Sequence, residues 1–402
     1  MKFESLKTIR SNRLEVILKV AARCNINCTY CYFFNGADDT FMQRPALVST
    51  DTIEAISRFL VNGVHSLNIE SVKIIFHGGE PLLLGKRRFD EMCAYFSTHL
   101  GSITDLTFCV QTNAMLIDDD WVNIFVRHHI RISISLDGPR EYHDKERLDF
   151  SNQGTYDQVI RGIEFLRQAS HIGRIDGFGA LCVINPVHSS KKIYRHFVDT
   201  LGIHAIDFLL PDVTHDGFHG SPSTYGDYLC ELFDVWTHDD NPNIQVRVLN
   251  SVLSLLLGGP SMVQGYGLEL AHAITIESDG TVCPDDLLRA CGPQMMNSSM
   301  NVANTELKEF FDSPRIQQLD QDHLDFDDSC QDCCWLKVCG GGLMVNRFKK
   351  DVGFRNPSIF CDGLKMFYAH IATYLLEKGL PLKHLKEVLI ESAQRENVLR
   401  PA

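Results

Sequence analysis

Apolar, β-branched-rich runs recur along the first half of the chain, at Leu14–Val20, Val72–Phe76, Leu106–Val110, Ile130–Leu136, Gly177–Ile184 and Ala205–Leu210. Each has strand length and reads as a buried strand. The stretches between them carry apolar residues at helical spacing. The first opens on Ser49-Thr50-Asp51, with Glu54 three residues after Asp51 as a capping-box partner, and then places Ile53, Ile56, Phe59 and Leu60 on one face. Further helices are expected at Arg87–Thr98, Asp118–His128, Tyr156–Gln168 and Lys191–Leu201. Six such repeats predict parallel strands joined by crossover helices that cover the sheet from outside.

The expected fold class is therefore α/β, a partial (β/α)6 TIM-like barrel with active groups at the C-terminal ends of its strands. A Rossmann sheet is the main competitor, but no G-x-G-x-x-G follows any of these runs. From Tyr225 to Leu257 the pattern is helical, with breaks at Pro242 and Gly258-Gly259-Pro260. After that, cysteine replaces apolar period as the organising feature. The domains expected are a core over residues 1–212, a helical bridge over 213–270, a Cys-rich extension over 271–363 and C-terminal helices over 364–402.

Composition narrows the function classes. With 402 residues the chain can bury a substantial core. A formal charge of -13 argues against a nucleic-acid partner, whose phosphates require a basic face. An acidic surface suits a basic peptide, although it is more often just solvated. The start has no apolar run of signal-peptide length and no stretch spans a bilayer, so a cytoplasmic protein without a membrane partner is expected. Fourteen cysteines in such a reducing compartment point to metal or cluster ligation rather than disulfides.

Cys24, Cys28 and Cys31 are spaced C-x3-C-x2-C directly after the first strand. Three thiolates this close can hold an iron-sulfur cluster and leave one iron open to a small molecule. The alternatives are a zinc site short of a ligand, or buried thiols. The second strand ends in Phe76-His77-Gly78-Gly79-Glu80-Pro81. Glycines permit close backbone approach and Glu80 can accept from an ammonium group, though a tight turn needs the same residue types. The third strand runs into Gln111-Thr112-Asn113 and the fourth into Ser133-Ile134-Ser135-Leu136-Asp137-Gly138-Pro139. Polar groups where apolar strands stop suit a ribose and a carboxylate, or a capped loop.

The Cys spacing, with aromatic Tyr30 before the third Cys, and the motif Gly78-Gly79-Glu80-Pro81 together resemble the radical S-adenosylmethionine (SAM) superfamily. The resemblance implies that SAM chelates the open iron of a 4Fe-4S cluster and that the Gly-Gly-Glu-Pro motif binds its amino group. It makes Tyr30, Asn113, Ser135, Asp137 and Arg147 further cofactor-binding candidates, although Ala114 stands where Gly is common.

In the last third, Cys330, Cys333, Cys339 and Cys361 read C-x2-C-x5-C-x21-C, with Gly340-Gly341-Gly342 after the third. On spacing alone zinc and iron-sulfur are comparable. Behind such a core the pattern resembles the SPASM extension, which implies at least one auxiliary 4Fe-4S cluster. Two departures bear on a second one: Leu343 stands where many relatives have Cys, and Asp279-Gly280-Thr281-Val282-Cys283-Pro284-Asp285 puts Asp at the usual turn cysteine. Cys283, Cys291 and Cys334 are then an unconventional metal site or core thiols. Cys93, Cys109, Cys182 and Cys230 read as core thiols. Asp285 and Asp286 are candidate catalytic proton acceptors, against a solvated or capping role.

Together with the late Asn356-Pro357-Ser358-Ile359-Phe360-Cys361, the arrangement is similar to SPASM maturases of ribosomally made peptides. Within them it resembles the cyclophane-forming group of the darobactin and xenorceptide type. That resemblance implies a precursor peptide substrate, a flavodoxin- or ferredoxin-type electron donor, and C–C or ether crosslinking of an aromatic side chain to a nearby residue. About a dozen residues precede the first strand, too few for a compact leader-binding core, so the barrel, the bridge or a separate leader-binding protein is expected to recognise the leader. Formylglycine formation on a sulfatase and thioether formation on a peptide are the alternatives within the superfamily. An iron-sulfur electron-transfer protein is the alternative outside it, and has no need of an ammonium-binding motif.

Overall fold

The computed structural model describes residues 12–269 and 273–391. All six apolar runs form strands: β1 (Arg13–Ala21), β2 (Ser71–Gly78), β3 (Asp105–Thr112), β4 (Arg131–Ser135), β5 (Phe178–Val183) and β6 (Ala205–Leu209). The intervening patterns form α1 (Thr50–Leu67), α2 (Lys86–Leu100), α3 (Asp119–Arg127), α4 (Arg140–Glu146), α5 (Tyr156–His171) and α6 (Ser190–Arg195), the last continued by a π-helical turn over His196–Thr200. Helix α4 was not expected.

The chain divides into two units. The first comprises Arg147–Phe178 with the described parts of Met1–Ile134 and Leu270–Asp320. Its strand order is β4-β3-β2-β1-β8-β9, where β8 is Ala273–Ile276 and β9 is Val282–Cys283. Strand β1 pairs in parallel with β2 on one side and β8 on the other, and β8–β9 is antiparallel. The register sets Val16 beside Ile74, and Ile74 beside Phe108. Val16, Leu18, Val20, Ile74, Phe76 and Val110 have no exposed surface. Burying each such side chain contributes roughly 1.5–3 kcal/mol, which is why parallel strands read as near-continuous apolar runs.

Helix α1 begins where expected, with a different cap. Ser49 is the N-cap and accepts from the Thr52 amide at 3.0 Å. Glu54 is then the fifth helical residue, out of reach of the N-cap backbone, and faces Arg58 one turn on at 4.0 Å.

The second unit comprises Ser135–Glu146, Gly179–Glu269 and the described part of Gln321–Ala402. Its strands run β5-β6-β7 in parallel, β7 being the two residues Gln245–Val246. The helical stretch after them forms α7 (Pro222–Asp239) and α8 (Arg247–Leu256). Helix α7 packs on the helix Cys361–Glu377 at Gly226 and Gly363, where a Cβ on Gly363 would lie 2.1 Å from the Pro222 carbonyl oxygen. Three short helices, Asp328–Gln331, Leu336–Cys339 and Met344–Arg347, complete the cysteine-rich part. The boundary expected at residues 270 and 271 and the two chain ends lie outside the described residues. Among the described residues no helix is long and apolar enough to cross a membrane.

Candidate active site

The loop after β1 carries the first three cysteines, Cys28 buried and Cys24 and Cys31 half-buried. Turns shape it: the Cys31 amide donates to the Cys28 carbonyl (3.2 Å), the Asn35 amide to the Cys31 carbonyl (2.8 Å), and the Asn35 side chain to the Cys28 carbonyl (2.8 Å). The Asn27 amide bonds the Leu148 carbonyl at 2.7 Å, which brings Arg147 alongside. Arg147 Nη1 lies 3.9 Å from Cys28 Sγ, and its guanidinium stands 5.5 Å from the centre of the Tyr30 ring. Burial pushes the Cys24 thiol up to about 12, with Glu80, Cys28 and Cys31 adding to the rise. Thiols so placed keep their protons unless a multivalent metal group replaces them. Three thiols on one loop match the donor set of a 4Fe-4S cluster with one iron left open.

The Gly-Gly-Glu-Pro segment is stapled to this loop. The Gly79 amide donates to the Ala21 carbonyl (2.8 Å) and the Glu80 amide to the Arg23 carbonyl (3.0 Å). A Cβ on Gly79 would lie 2.2 Å from the Arg23 oxygen, so only glycine allows the approach. Gly78 turns the strand end with φ +142°, and buried Pro81 opens the 3-10 turn Pro81–Leu84. Glu80 is fully buried; Oε1 accepts from the Leu82 amide (3.0 Å) and Thr112 Oγ1 (2.8 Å), and Oε2 from the Asn113 amide (2.8 Å). Burial raises its pKa to about 7, and these three bonds only partly oppose the rise. A buried carboxylate held by neutral donors, with acceptor capacity left, suits an ammonium group.

Asn113 projects back to the cysteine loop, its Nδ2 2.7 Å from Asn25 Oδ1 and 4.0 Å from Cys24 Sγ. The next residue, Ala114, has φ +63°, which explains why glycine suits that position. Ser135 and Asp137 belong to the second unit. There Asp137 is buried at the end of β4, its Oδ1 accepting from the Val183 amide at 3.3 Å.

The two candidate acids part company. Asp285 is half-buried and caps the 3-10 turn Asp286–Cys291 by accepting from the Leu287 amide at 3.0 Å. Asp286 is buried: Oδ2 accepts from Lys19 Nζ (2.5 Å) and the Tyr32 hydroxyl (2.5 Å), and Oδ1 from Arg289 Nε and Nη2 (both 3.2 Å). Burial alone would raise its pKa, but Lys19 and Arg289 more than reverse that and hold it well below the usual carboxylate range. Arg289 also binds Asp38 and Glu277, and Arg44 binds Asp279 at 2.9 Å. Lys19 Nζ lies 3.2 Å from His77 Nδ1, and burial, then Lys19, push that imidazole down to about 3. Sequence reasoning missed this network, although Lys19 is the lone cation in the run Leu14–Val20.

In the second unit Cys330, Cys333, Cys339 and Cys361 line one cavity. The chain can pass there because Gly340 takes φ +59°, where a Cβ would meet the Gly267 oxygen at 1.9 Å. Burial pushes the Cys339 thiol up to about 12, and the other three cysteines add to the rise. Cys283 and Cys291 lie buried in the first unit, with Cys283 Sγ 3.2 Å from the Met296 carbonyl it donates to. Cys334 is exposed in the second unit. Leu343 packs against Gly265, its Cδ2 2.6 Å from where a Cβ would stand. Cys93 and Cys182 are core thiols, and Cys109 and Cys230 are half-buried.

Residues 18–181 match the Radical SAM superfamily. The chain carries a radical SAM domain over these residues. Over 380 residues the enzyme is 24% identical to the cysteine-type anaerobic sulfatase-maturating enzyme of Clostridium perfringens, covering 92% of this chain and 99% of that one. It is also 24% identical over 389 residues to the serine-type anaerobic sulfatase-maturating enzyme of Bacteroides thetaiotaomicron, covering 90% of each. Among solved structures it resembles native anSMEcpe with bound AdoMet and Cp18Cys peptide, with a TM-score of 0.77 and 23% identity over 91% of this chain and 98% of that one. That likeness shows the expected fold class, a TIM-like α/β core with a SPASM-type C-terminal extension. A radical SAM enzyme works with a 4Fe-4S cluster and SAM, and the cysteine-rich C-terminal part is consistent with an auxiliary cluster.

Proposed function

We propose that this enzyme modifies a ribosomally made precursor peptide by joining an aromatic side chain to a nearby residue through a C–C or ether bond. Cys24, Cys28 and Cys31 would hold the SAM-binding cluster, with Arg147 beside Cys28 and over Tyr30. Gly78, Gly79 and Pro81 shape the turn that offers Glu80 to the SAM ammonium, and Asn113, Ser135 and Asp137 would bind its remaining polar groups. Cys330, Cys333, Cys339 and Cys361 would hold one auxiliary cluster. When bound, the cluster and SAM supply a 5′-deoxyadenosyl radical able to take hydrogen from an unactivated carbon, and an auxiliary cluster supplies an electron acceptor.

The chain's own part is to orient the peptide carbon, worth up to about 7–11 kcal/mol of barrier, and to receive a proton. Crosslinking removes two hydrogens: one as a hydrogen atom, the other as an electron and a proton. An oxidised ring awaiting rearomatisation is strongly acidic, so a weak base suffices. We assign that role to Asp286 rather than Asp285, which is engaged as a cap. A flavodoxin- or ferredoxin-type donor in the cytoplasm completes the proposal.

The observation that carries crosslinking over formylglycine formation is the state of the second cysteine set. Cys283 is turned to a backbone carbonyl and Leu343 fills an apolar contact, which supports a single auxiliary cluster. Formylglycine formation on a sulfatase is the second reading, favoured by similarity to sulfatase-maturating enzymes along nine-tenths of the chain. To separate them, the enzyme is co-expressed anaerobically with the short reading frames beside its gene, and each peptide is examined by high-resolution mass spectrometry. A parallel culture carries Cys24→Ala, Cys28→Ala and Cys31→Ala. Crosslinking predicts loss of two hydrogens, mapped to an aromatic residue and a neighbour and inert to hydrazide. A hydrazide-reactive aldehyde at Cys or Ser would establish formylglycine instead. Unmodified peptides from an enzyme that still cleaves SAM would sink the crosslinking reading.

A further inference from the structure

Two buried polar side chains lie beside the four cysteines of the second unit. Arg347 is 1% exposed, and its guanidinium donates to backbone carbonyls: Phe354 (3.1 Å), His323 (2.7 Å), Asp322 (3.1 Å) and Asp325 (2.8 Å). Carbonyls satisfy its donors without cancelling its charge. Its Nη1 is 3.5 Å from where a Cβ of Gly341 would stand, and Gly341 lines the cavity, so the cation sits just behind the cavity wall.

The second group is Tyr368. Positions 361, 364, 365 and 368 share one face of the helix Cys361–Glu377, and all four residues line the cavity. Tyr368 has no exposed surface, and its hydroxyl has no partner at ordinary hydrogen-bond distance. Cys339 lines the same cavity.

We propose that Arg347 and Tyr368 set the reduction potential of an auxiliary 4Fe-4S cluster held by Cys330, Cys333, Cys339 and Cys361. Arg347 acts through its charge, and Tyr368 by donating a hydrogen bond to a cluster sulfur. The proposal rests on those four cysteines holding a cluster. Net charge and hydrogen bonds to sulfur are the chief determinants of cluster potential. A buried cation and a sulfur-directed hydroxyl both favour the form carrying the extra electron, so both raise the potential.

The test uses the full chain carrying Cys24→Ala, Cys28→Ala and Cys31→Ala, so that only the other cluster is titrated, followed by electron paramagnetic resonance at poised potentials. Adding Tyr368→Phe should move the midpoint negative, up to a tenfold change in the one-electron equilibrium, or about 59 mV. An unchanged midpoint at equal iron and sulfide content overturns the role of Tyr368. Should the phenylalanine variant lose its iron, 3-fluorotyrosine in place of Tyr368 is the stronger donor and should move the midpoint positive; no movement again overturns it. Arg347→Lys keeps the charge and Arg347→Met removes it, so only the second should lower the midpoint. Equal midpoints remove Arg347 from the proposal. Metal analysis comes first: zinc or no iron in the starting protein defeats the cluster assignment itself, and is told apart from a failure of tuning.

Discussion

Lys19 and Asp286 are 267 residues apart in sequence, and the Lys19 Nζ lies 2.5 Å from Asp286 Oδ2 with both side chains buried. Strand β1, which leads into the Cys24 loop, is thereby ion-paired to the segment that follows β9. Breaking a buried ion pair by removing one partner leaves an uncompensated charge, at about 3–5 kcal/mol. Lys19→Met should fall near the lower end, because Arg289 and Tyr32 still bond Asp286. In urea unfolding, adding Asp286→Asn to Lys19→Met should destabilise by less than the sum of the two single changes. Strict additivity would show that the two side chains do not act as a pair.

Gly79→Ala should abolish SAM cleavage while the protein stays folded. The added Cβ meets the Arg23 oxygen at 2.2 Å, and Arg23 directly precedes Cys24, so the loop must move to admit it. Circular dichroism close to that of the parent, with loss of roughly half the iron and of 5′-deoxyadenosine production, is the expected result. Full activity would mean that the close approach is unnecessary.

These cases show what the sequence could and could not reveal. Strands β1 to β6 were legible because one face of each is buried and the other largely half-buried, which favours apolar runs of strand length, and the thiols and Glu80 because their motifs are local in sequence. Strand β7 spans two residues, β8 four and β9 two, too few for any period to register. Two partners of Asp286 were hidden for another reason: nothing local joins Lys19 and Tyr32 to it until the sheet sets β8 beside β1. Asp285 and Asp286, adjacent in sequence, were indistinguishable until burial separated them.

Glu80 gives a pH prediction. Its folded pKa is raised to about 7, above the ordinary carboxylate value, so its contribution to stability is fully present at acid pH and is lost as pH rises through 7. A SAM ammonium reverses the preference by favouring the carboxylate. Between pH 8 and 6, SAM binding to the reconstituted enzyme should therefore weaken, approaching about tenfold per unit once below the folded pKa. Glu80→Gln should bind SAM poorly and lose that slope. A wild-type affinity independent of pH over this range, measured by equilibrium dialysis, would remove Glu80 from ammonium recognition.

The cysteines divide into sets with separable consequences. Cys24→Ala, Cys28→Ala and Cys31→Ala together should remove about half the iron and all SAM cleavage. Cys330→Ala, Cys333→Ala, Cys339→Ala and Cys361→Ala together should remove the other half. If the second cluster serves as electron acceptor, that variant still forms 5′-deoxyadenosine but no longer completes the crosslink. Cys283→Ala and Cys291→Ala should leave iron unchanged, because Cys283 is turned to the Met296 carbonyl and both thiols are buried in the first unit. Iron lost on changing either of them would establish a second auxiliary cluster. It would also withdraw the observation on which crosslinking was preferred to formylglycine formation, since a complete second set is what distinguishes the two readings at the level of residues.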